Sequence, residues 1–337
     1  MNKKLLIVAE VGVNHNGDLN QAVRLIEAAK YSGADAVKFQ TFKAEELVSN
    51  SAPKVPYQIS GSRESHFEMI KRLELTESDF INIKQCCVIN DLKFISTPYD
   101  VGSALFLDSI GLDYFKTASA DLIDLPLHRF IARTRRPTII ATGMSTIDEI
   151  KECIDIYKCE GGNIHALLHC VSNYPCSDQS INLNVMKSMA NIFDTPIGFS
   201  DHSIGYFASL MAFTLGAVVI EKHFTLDKMQ SGPDHKASST PQEFLELVNS
   251  LRRAEIILGD PEKKIQIEEE DMRAYSRKSL VAARNLFAGE VIQKKDVKVL
   301  RPGTGIPPKF LDNIVGMSLL NDLDGGSVIN WTDLNGK

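Results

Sequence analysis

Eight short runs of apolar residues, rich in β-branched and aromatic side chains, recur through the first 224 positions, and stretches with helical spacing separate them. They are LLIVAEVG (5–12), AVKFQT (36–41), KFISTPY (93–99), YFKTAS (114–119), TIIATG (138–143), HALLHC (165–170), PIGFSD (196–201) and VVIEKHF (218–224). Intervening segments such as NQAVRLIEAAKYSG (20–33) and STIDEIKECIDIYKCEGG (145–162) start polar, place apolar residues three and four apart, and close on glycine. The alternation is strand–helix, eight times. Continuously apolar strands imply a parallel sheet covered by helices, and eight such units in about 250 residues match a closed (β/α)8 TIM barrel. An open doubly wound sheet is the competing fold. Its nucleotide-binding versions are disfavoured because no glycine fingerprint follows the first run.

The pattern changes after the helix TPQEFLELVNSLRRAEIILG (240–259). Residues 261–278, PEKKIQIEEEDMRAYSRK, are highly charged and read as a linker, and residues 279–337 carry short strands and turns such as FAGE, RPGTG and DGG. The expected organisation is a barrel over 1–260, a linker over 261–278 and a small, mostly β domain over 279–337. A domain of about 60 residues is marginal alone and should pack on the barrel or on a second subunit.

Composition narrows the function classes. The net charge is −6 and the Lys and Arg residues are scattered, so nucleic acid is an unfavourable partner and an anionic ligand must be met by local charges. The first apolar stretch, Leu5 to Ala9, stops at Glu10, too short for a signal-peptide core or a membrane span, so a cytoplasmic location is expected. The six cysteines form no CxxC pair and are expected to be reduced and mainly structural.

In a barrel, catalytic groups belong at the C-terminal strand ends. Polar residues collect there. Run one ends at Glu10; run two carries Lys38 and Gln40; run three Ser96 and Thr97; run four Lys116 and Ser119. Run six reaches His169, run seven Ser200, Asp201 and His202, and run eight Glu221 and His223. Alternation puts Lys38 with Gln40, Ser200 with His202, and Glu221 with His223 on common faces.

A single histidine at such a place is more often packed than metal-binding. Two on neighbouring strands, about 4.8 Å apart, can converge on one ion. Two nitrogens without cysteine leave room for water or substrate oxygen, which suits Mn2+ or Mg2+ in an open, Lewis-acidic site. Lys38 and Lys116 follow β-branched or aromatic residues, where an unpaired ammonium is costly, so with Thr97, Ser119 and Ser200 they make a phosphate or carboxylate pocket. The competing reading is a lysine Schiff base, as in metal-free aldolases. In GVNHNG (Asn14, His15) and SGPDH (Asp234, His235), turn chemistry competes with function, and Asp234 is the stronger candidate because its loop follows run eight.

The motifs VAEVGVNHNG, AVKFQT, FISTPYD, YFKTASAD, ATGMST, LLHCVSNYP, GFSDHS, EKHFTLDK and GPDH resemble the sialic acid synthase family, in the same order, across the barrel. The tail, RKSLVAARNLFAGEVIQKKDV through LRPGTGI, resembles that family's antifreeze-like (SAF-type) domain. The resemblance implies a C–C bond-forming transferase that condenses phosphoenolpyruvate with an N-acetylated mannose-type sugar, giving a nine-carbon 2-keto acid and phosphate. It also implies a divalent metal and a domain-swapped homodimer. In this reading His202 and His223 hold the metal; Lys38, Thr97, Lys116, Ser119 and Ser200 bind phosphoenolpyruvate; and Gln40, Tyr174 and Asp234 contact the sugar. Arg301 of one subunit, with Tyr275 nearby, reaches the sugar in the other. Asp121 or Glu10 activates water. Many members read STGM and have glutamate where this chain has Ala141 and Asp121. N-acetylneuraminate is the first expectation for the product, N,N'-diacetyllegionaminate the second and pseudaminate the third. A non-catalytic carbohydrate-binding protein would leave the polar strand ends unexplained.

Overall fold

The eight runs form eight parallel strands that close on themselves in sequence order in the computed structural model, which describes residues 5–49, 52–53 and 64–335. The strands are β1 (Leu6–Gly12), β2 (Ala36–Thr41), β3 (Lys93–Pro98), β4 (Tyr114–Thr117), β5 (Pro137–Ala141), β6 (Asn163–His169), β7 (Ile197–Asp201) and β8 (Val219–His223). β1 pairs with both β2 and β8, so the barrel has no open edge. The doubly wound alternative is thereby excluded.

Helix boundaries follow the local signals. The helix Ile147–Glu160 starts at Thr146, which shares a capping box with Glu149, and ends at Gly161 with φ 69°, a left-handed position suited to glycine. The helix Pro241–Leu258 starts on a second capping box, Thr240 with Glu243.

Alternation along the strands sorts two apolar layers. Ile7, Val37, Phe39, Phe94, Phe115, Ile140, Leu167, Phe199 and Ile220 face outward and pack with the helices in one continuous core. Each buried Phe contributes roughly 2–3 kcal/mol from lost water contact. Leu6, Val8, Ala36, Ile95, Ile139, Ala166, Leu168 and Val219 fill the barrel interior. The same inward positions turn polar one or two steps further along: Val8 is followed by Glu10, Ala36 by Lys38, Ile95 by Thr97, and Val219 by Glu221 and His223. The site is the top layer of the barrel core.

Two compact units divide the chain, Met1–Gly259 and Asp260–Lys337. Part of the expected linker is ordered as a 3-10 turn, Ile267–Glu269, and a short helix, Glu270–Ser276. The second unit has its own core of Leu280, Ala282, Leu286, Ile292, Ile306, Ile314, Leu319, Ile329 and Leu334. Short antiparallel pairs, Ser279–Ala282 with Val297–Leu300 and Ser318–Leu319 with Leu334–Asn335, frame it. All six cysteines are free. Among the described residues no helix is long and apolar enough to cross a membrane.

Candidate active site

A cavity of about 350 Å³ opens at the C-terminal ends of the strands. Its floor is a buried charge cluster. Lys38 Nζ lies 3.2 Å from Glu10 Oε2 and 3.2 Å from Glu221 Oε1, and Lys116 Nζ lies 3.7 Å from Glu221 Oε1. The Ser200 hydroxyl donates to Glu221 at 2.9 Å, and the Gln40 amide donates to Glu10 at 3.2 Å.

These contacts push the two carboxyls apart. Burial tends to raise Glu221, but Lys116, Lys38 and the Ser200 bond outweigh it and hold the group at about 2. For Glu10, burial wins over Lys38, and with Glu221 nearby it carries the carboxyl up to about 7. Burial, only partly offset by Glu221, lowers the Lys116 ammonium, whereas Glu10 and Glu221 overcome burial and raise that of Lys38. Whenever Glu10 holds a proton, two lysines face one carboxylate, and the floor is cationic. An anion fits there.

Hydroxyls supply the rest of an anion pocket. Thr97 Oγ1 is buried and has no hydrogen-bond partner. Ser119 Oγ accepts from the Gly143 N–H at 3.1 Å and lies 3.2 Å from Cys170 Sγ. A Cβ on Gly143 would come within 2.6 Å of Ser172 Oγ and 2.8 Å of Ser119 Oγ, so the missing side chain leaves a cradle between two hydroxyls. Ala141 also lines the cavity and brings no hydroxyl.

His202 and His223 lie side by side, with ring centroids 5.7 Å apart, and Tyr174 packs on both at 4.2 and 5.5 Å. His202 Nδ1 donates to the Val171 carbonyl at 2.7 Å, which leaves Nε2 unprotonated, 3.3 Å from the Ser200 hydroxyl. His223 Nδ1 is buried without a hydrogen-bond partner, 4.0 Å from Asp234 Oδ2. Burial lowers His202 to about 4 and, with His202 and Lys38 adding to it, holds His223 well below its usual range. Both rings are neutral at neutral pH. No group of three metal-ligating side chains occurs among the described residues. Two neutral imidazoles, one orphaned, fit a divalent ion whose other positions belong to water and substrate.

Asp234 completes the polar side, with burial raising its carboxyl to about 6. A Cβ on Gly12, where φ is +55°, would lie 3.2 Å from Glu10 Oε1, 3.3 Å from Gln40 Nε2 and 3.7 Å from Asp234 Oδ2. Glycine there keeps the space between these three groups open. Across the cavity stands an apolar wall of Val13, Phe42, Leu47, Met69, Ile70 and Leu73.

Of the residues expected in the site, Glu10, Lys38, Gln40, Thr97, Lys116, Ser119, Tyr174, Ser200, His202, His223 and Asp234 all line this one cavity. Asp121 does not. It sits on the turn Ser119–Ile123, and burial with Asp124 nearby raises its carboxyl to about 7. Tyr275 and Arg301 are exposed residues of the second unit. Asn14 ties its loop to the Phe224 carbonyl and Ser238, His15 accepts from the Gly17 N–H, and His235 bonds Thr225, so all three do turn work. His169 bonds the Ile181 carbonyl and stays out of the cavity.

Sequence reasoning placed Glu221 on the right face but gave it no role, because its lysine partners lie on β2 and β4. Ser172, Cys170 and the apolar wall were missed too. Cys170 lines the cavity rather than serving packing alone.

Residues 25–263 match the NeuB family and residues 277–335 match the SAF domain. The chain is 45% identical to the N,N'-diacetyllegionaminic acid synthase of Legionella pneumophila over 96% of this chain and 93% of that protein. It is 42% identical to the N,N'-diacetyllegionaminic acid synthase of Campylobacter jejuni over 93% and 95%. The crystal structure of N-acetylneuraminic acid (sialic acid) synthetase from Leptospira borgpetersenii superposes with a TM-score of 0.72 at 32% identity, covering 80% of this chain and 90% of that one. With the charged floor, the hydroxyl cradle and the paired histidines in one barrel mouth, these matches establish that the chain belongs to the NeuB family, the sialic acid synthases, and ends in a SAF domain.

Proposed function

We propose that the protein condenses phosphoenolpyruvate with an N-acetylated mannose-type sugar and water, releasing phosphate and a nine-carbon 2-keto acid. The observation that carries this reading is the floor. Lys38 and Lys116 converge on Glu221 beneath the unpaired Thr97 hydroxyl, an arrangement suited to a small polyanion.

The two ammoniums take the carboxylate and phosphate of phosphoenolpyruvate, Thr97, Ser119 and Ser172 donate to the phosphate oxygens, and Ser200, which donates to Glu221 in the free protein, turns its proton to them when the anion binds. Gln40, Tyr174 and Asp234 hold the sugar with its aldehyde toward C3 of phosphoenolpyruvate. His202 and His223 would hold Mn2+ or Mg2+, which when bound supplies Lewis-acid polarisation of that aldehyde. C3 attacks the carbonyl carbon, the carbonyl π pair goes to oxygen, and a proton on Asp234 is placed to meet the new alkoxide. Positive charge develops at C2. Glu10, poised near pH 7, takes a proton from the water that adds there, and C–O cleavage expels phosphate. Glu10 suits this task better than Asp121 because it faces the cavity.

The apolar wall bears on the sugar. N-acetylmannosamine, first on motifs alone, would set hydroxyls at C4 and C6 against Val13, Phe42, Leu47, Met69, Ile70 and Leu73. A 2,4-diacetamido-trideoxy sugar offers a methyl at C6 instead, and the two relatives named above are N,N'-diacetyllegionaminic acid synthases. We infer the second sugar. Trading a hydroxymethyl for a methyl at an apolar surface is worth about 1–3 kcal/mol, or 10- to 200-fold in kcat/KM. The enzyme acts as a cytoplasmic homodimer in this reading, with Arg301 and Tyr275 of one subunit serving the other's sugar; family resemblance supports that part.

The test is phosphate release from phosphoenolpyruvate with each sugar, with Mn2+ and with EDTA. Metal-dependent release that prefers the diacetamido sugar is expected. The depressed Lys116 ammonium favours one other chemistry, a Schiff base, and trapping by borohydride with indifference to EDTA would establish it instead.

A further inference from the structure

Behind the two histidines, on the helix-facing side of the sheet, lies a buried ion pair that touches no part of the cavity. Asp201 and Lys222 are register partners on β7 and β8, and their side chains are 0% and 3% exposed. Alternation turns them away from the cavity while Ser200, Glu221 and His223 turn into it. Lys222 Nζ lies 3.1 Å from Asp201 Oδ2 and donates to the Ser203 carbonyl at 2.8 Å. Asp201 Oδ1 accepts from the Ser203 N–H at 2.9 Å and from its hydroxyl at 2.6 Å. Asp201 Oδ2 accepts from the Ser209 hydroxyl at 2.5 Å, which brings in the helix Phe207–Thr214.

The backbone on both sides of His202 is therefore tied to Lys222, the residue that immediately precedes His223. Two apolar side chains would cover this part of the sheet with no desolvation penalty, so a fully bonded ion pair here calls for a geometric reason. We propose that Asp201 and Lys222 are positioning residues, which fix His202 and His223 at the separation a shared divalent ion requires. This rests on the reading that the histidines bind such an ion.

Mn2+ binding to the full-length protein, measured by titration calorimetry without substrates, tests it. The variant is Asp201→Asn/Lys222→Met, which removes both buried charges together and keeps the volume of the lysine stem. The expected result is Mn2+ affinity weakened about 10- to 100-fold, as for groups that orient metal ligands, with cooperative unfolding retained and turnover recovering at high Mn2+. Affinity within about twofold of wild type, with only thermal stability changed, overturns the positioning role. Wild-type protein that takes up no Mn2+ removes the metal reading and this proposal with it. Should the double variant fail to fold, Ser209→Ala carries the test, since it deletes one donor to Asp201 and leaves both charges. About threefold weaker Mn2+ binding is expected, and unchanged binding overturns the proposal.

Discussion

Replacing Glu10 by Gln should make the barrel more stable and the enzyme nearly inactive. Burial carries the Glu10 carboxyl from 4.5 to about 7, so the folded protein binds this proton more tightly than the unfolded chain, by about 3 kcal/mol. The sign follows directly. Below pH 4.5 both states hold the proton, and the stabilisation is fully present. As pH rises toward 7 the unfolded chain has released the proton and the folded one keeps it, so stability falls, levelling off above 7. Gln resembles the protonated form at every pH. The variant should match wild type near pH 4 and exceed it by about 3 kcal/mol at pH 8.5, which for a unit of this size is about 6–12 °C in Tm. Asp121 and Asp234 also have raised pKa values, and comparing variant with wild type cancels their contributions. Thermal unfolding across that pH range is the assay, with kcat/KM alongside. Wild-type activity should be bell-shaped, limited on the acid side by the Glu10 base near 7 and on the alkaline side by the Asp234 acid near 6, and the variant should lose the acid limb and about 10²–10⁴-fold in rate. A variant less stable than wild type at pH 8.5 would refute the reasoning, because it would mean that pairing with Lys38 outweighs burial.

Three further outcomes are expected. His223→Ala should abolish Mn2+ uptake and turnover with an unchanged far-UV CD spectrum; normal metal-dependent activity would remove the histidine pair from the mechanism. Glu221→Gln removes the carboxylate that Lys38 and Lys116 share, leaving Lys38 with Glu10 alone and Lys116 without its partner, at a cost of about 3–5 kcal/mol, and inorganic phosphate should raise the Tm of this variant more than that of wild type. An equal effect on both proteins would show that phosphate does not bind at the lysines. Ala141→Ser restores a hydroxyl to the cavity wall and should tighten phosphoenolpyruvate binding about 3- to 10-fold, read as KM; an unchanged KM would place the phosphate elsewhere.

Much of the architecture was legible because it is written locally. Apolar runs of strand length, capping residues such as Thr146 with Glu149, and closing glycines such as Gly161 are properties of neighbouring residues, and eight repeats leave few ways to close a sheet. The strand-end rule put Glu10, Lys38, Gln40, Thr97, Lys116, Ser119, Ser200, His202 and His223 into one cavity, and the family resemblance added Tyr174 and Asp234. Asp121, expected from the family resemblance, falls outside that rule. It lies past the end of β4 on a turn, where alternation no longer says which way a side chain points.

Sequence by itself thus determined the strands and which residues share a face, since both follow from backbone periodicity, whereas strand order and closure were decided by the tertiary structure, which excluded the doubly wound sheet. Only the tertiary structure decided the electrostatics. Glu10, Lys38, Lys116 and Glu221 meet because the barrel closes, bringing β1 beside β8 and residues 10 and 221 into reach of one lysine. Two glutamates of the same type then differ, one near 7 and one near 2, because burial and lysine contacts are set by three-dimensional position.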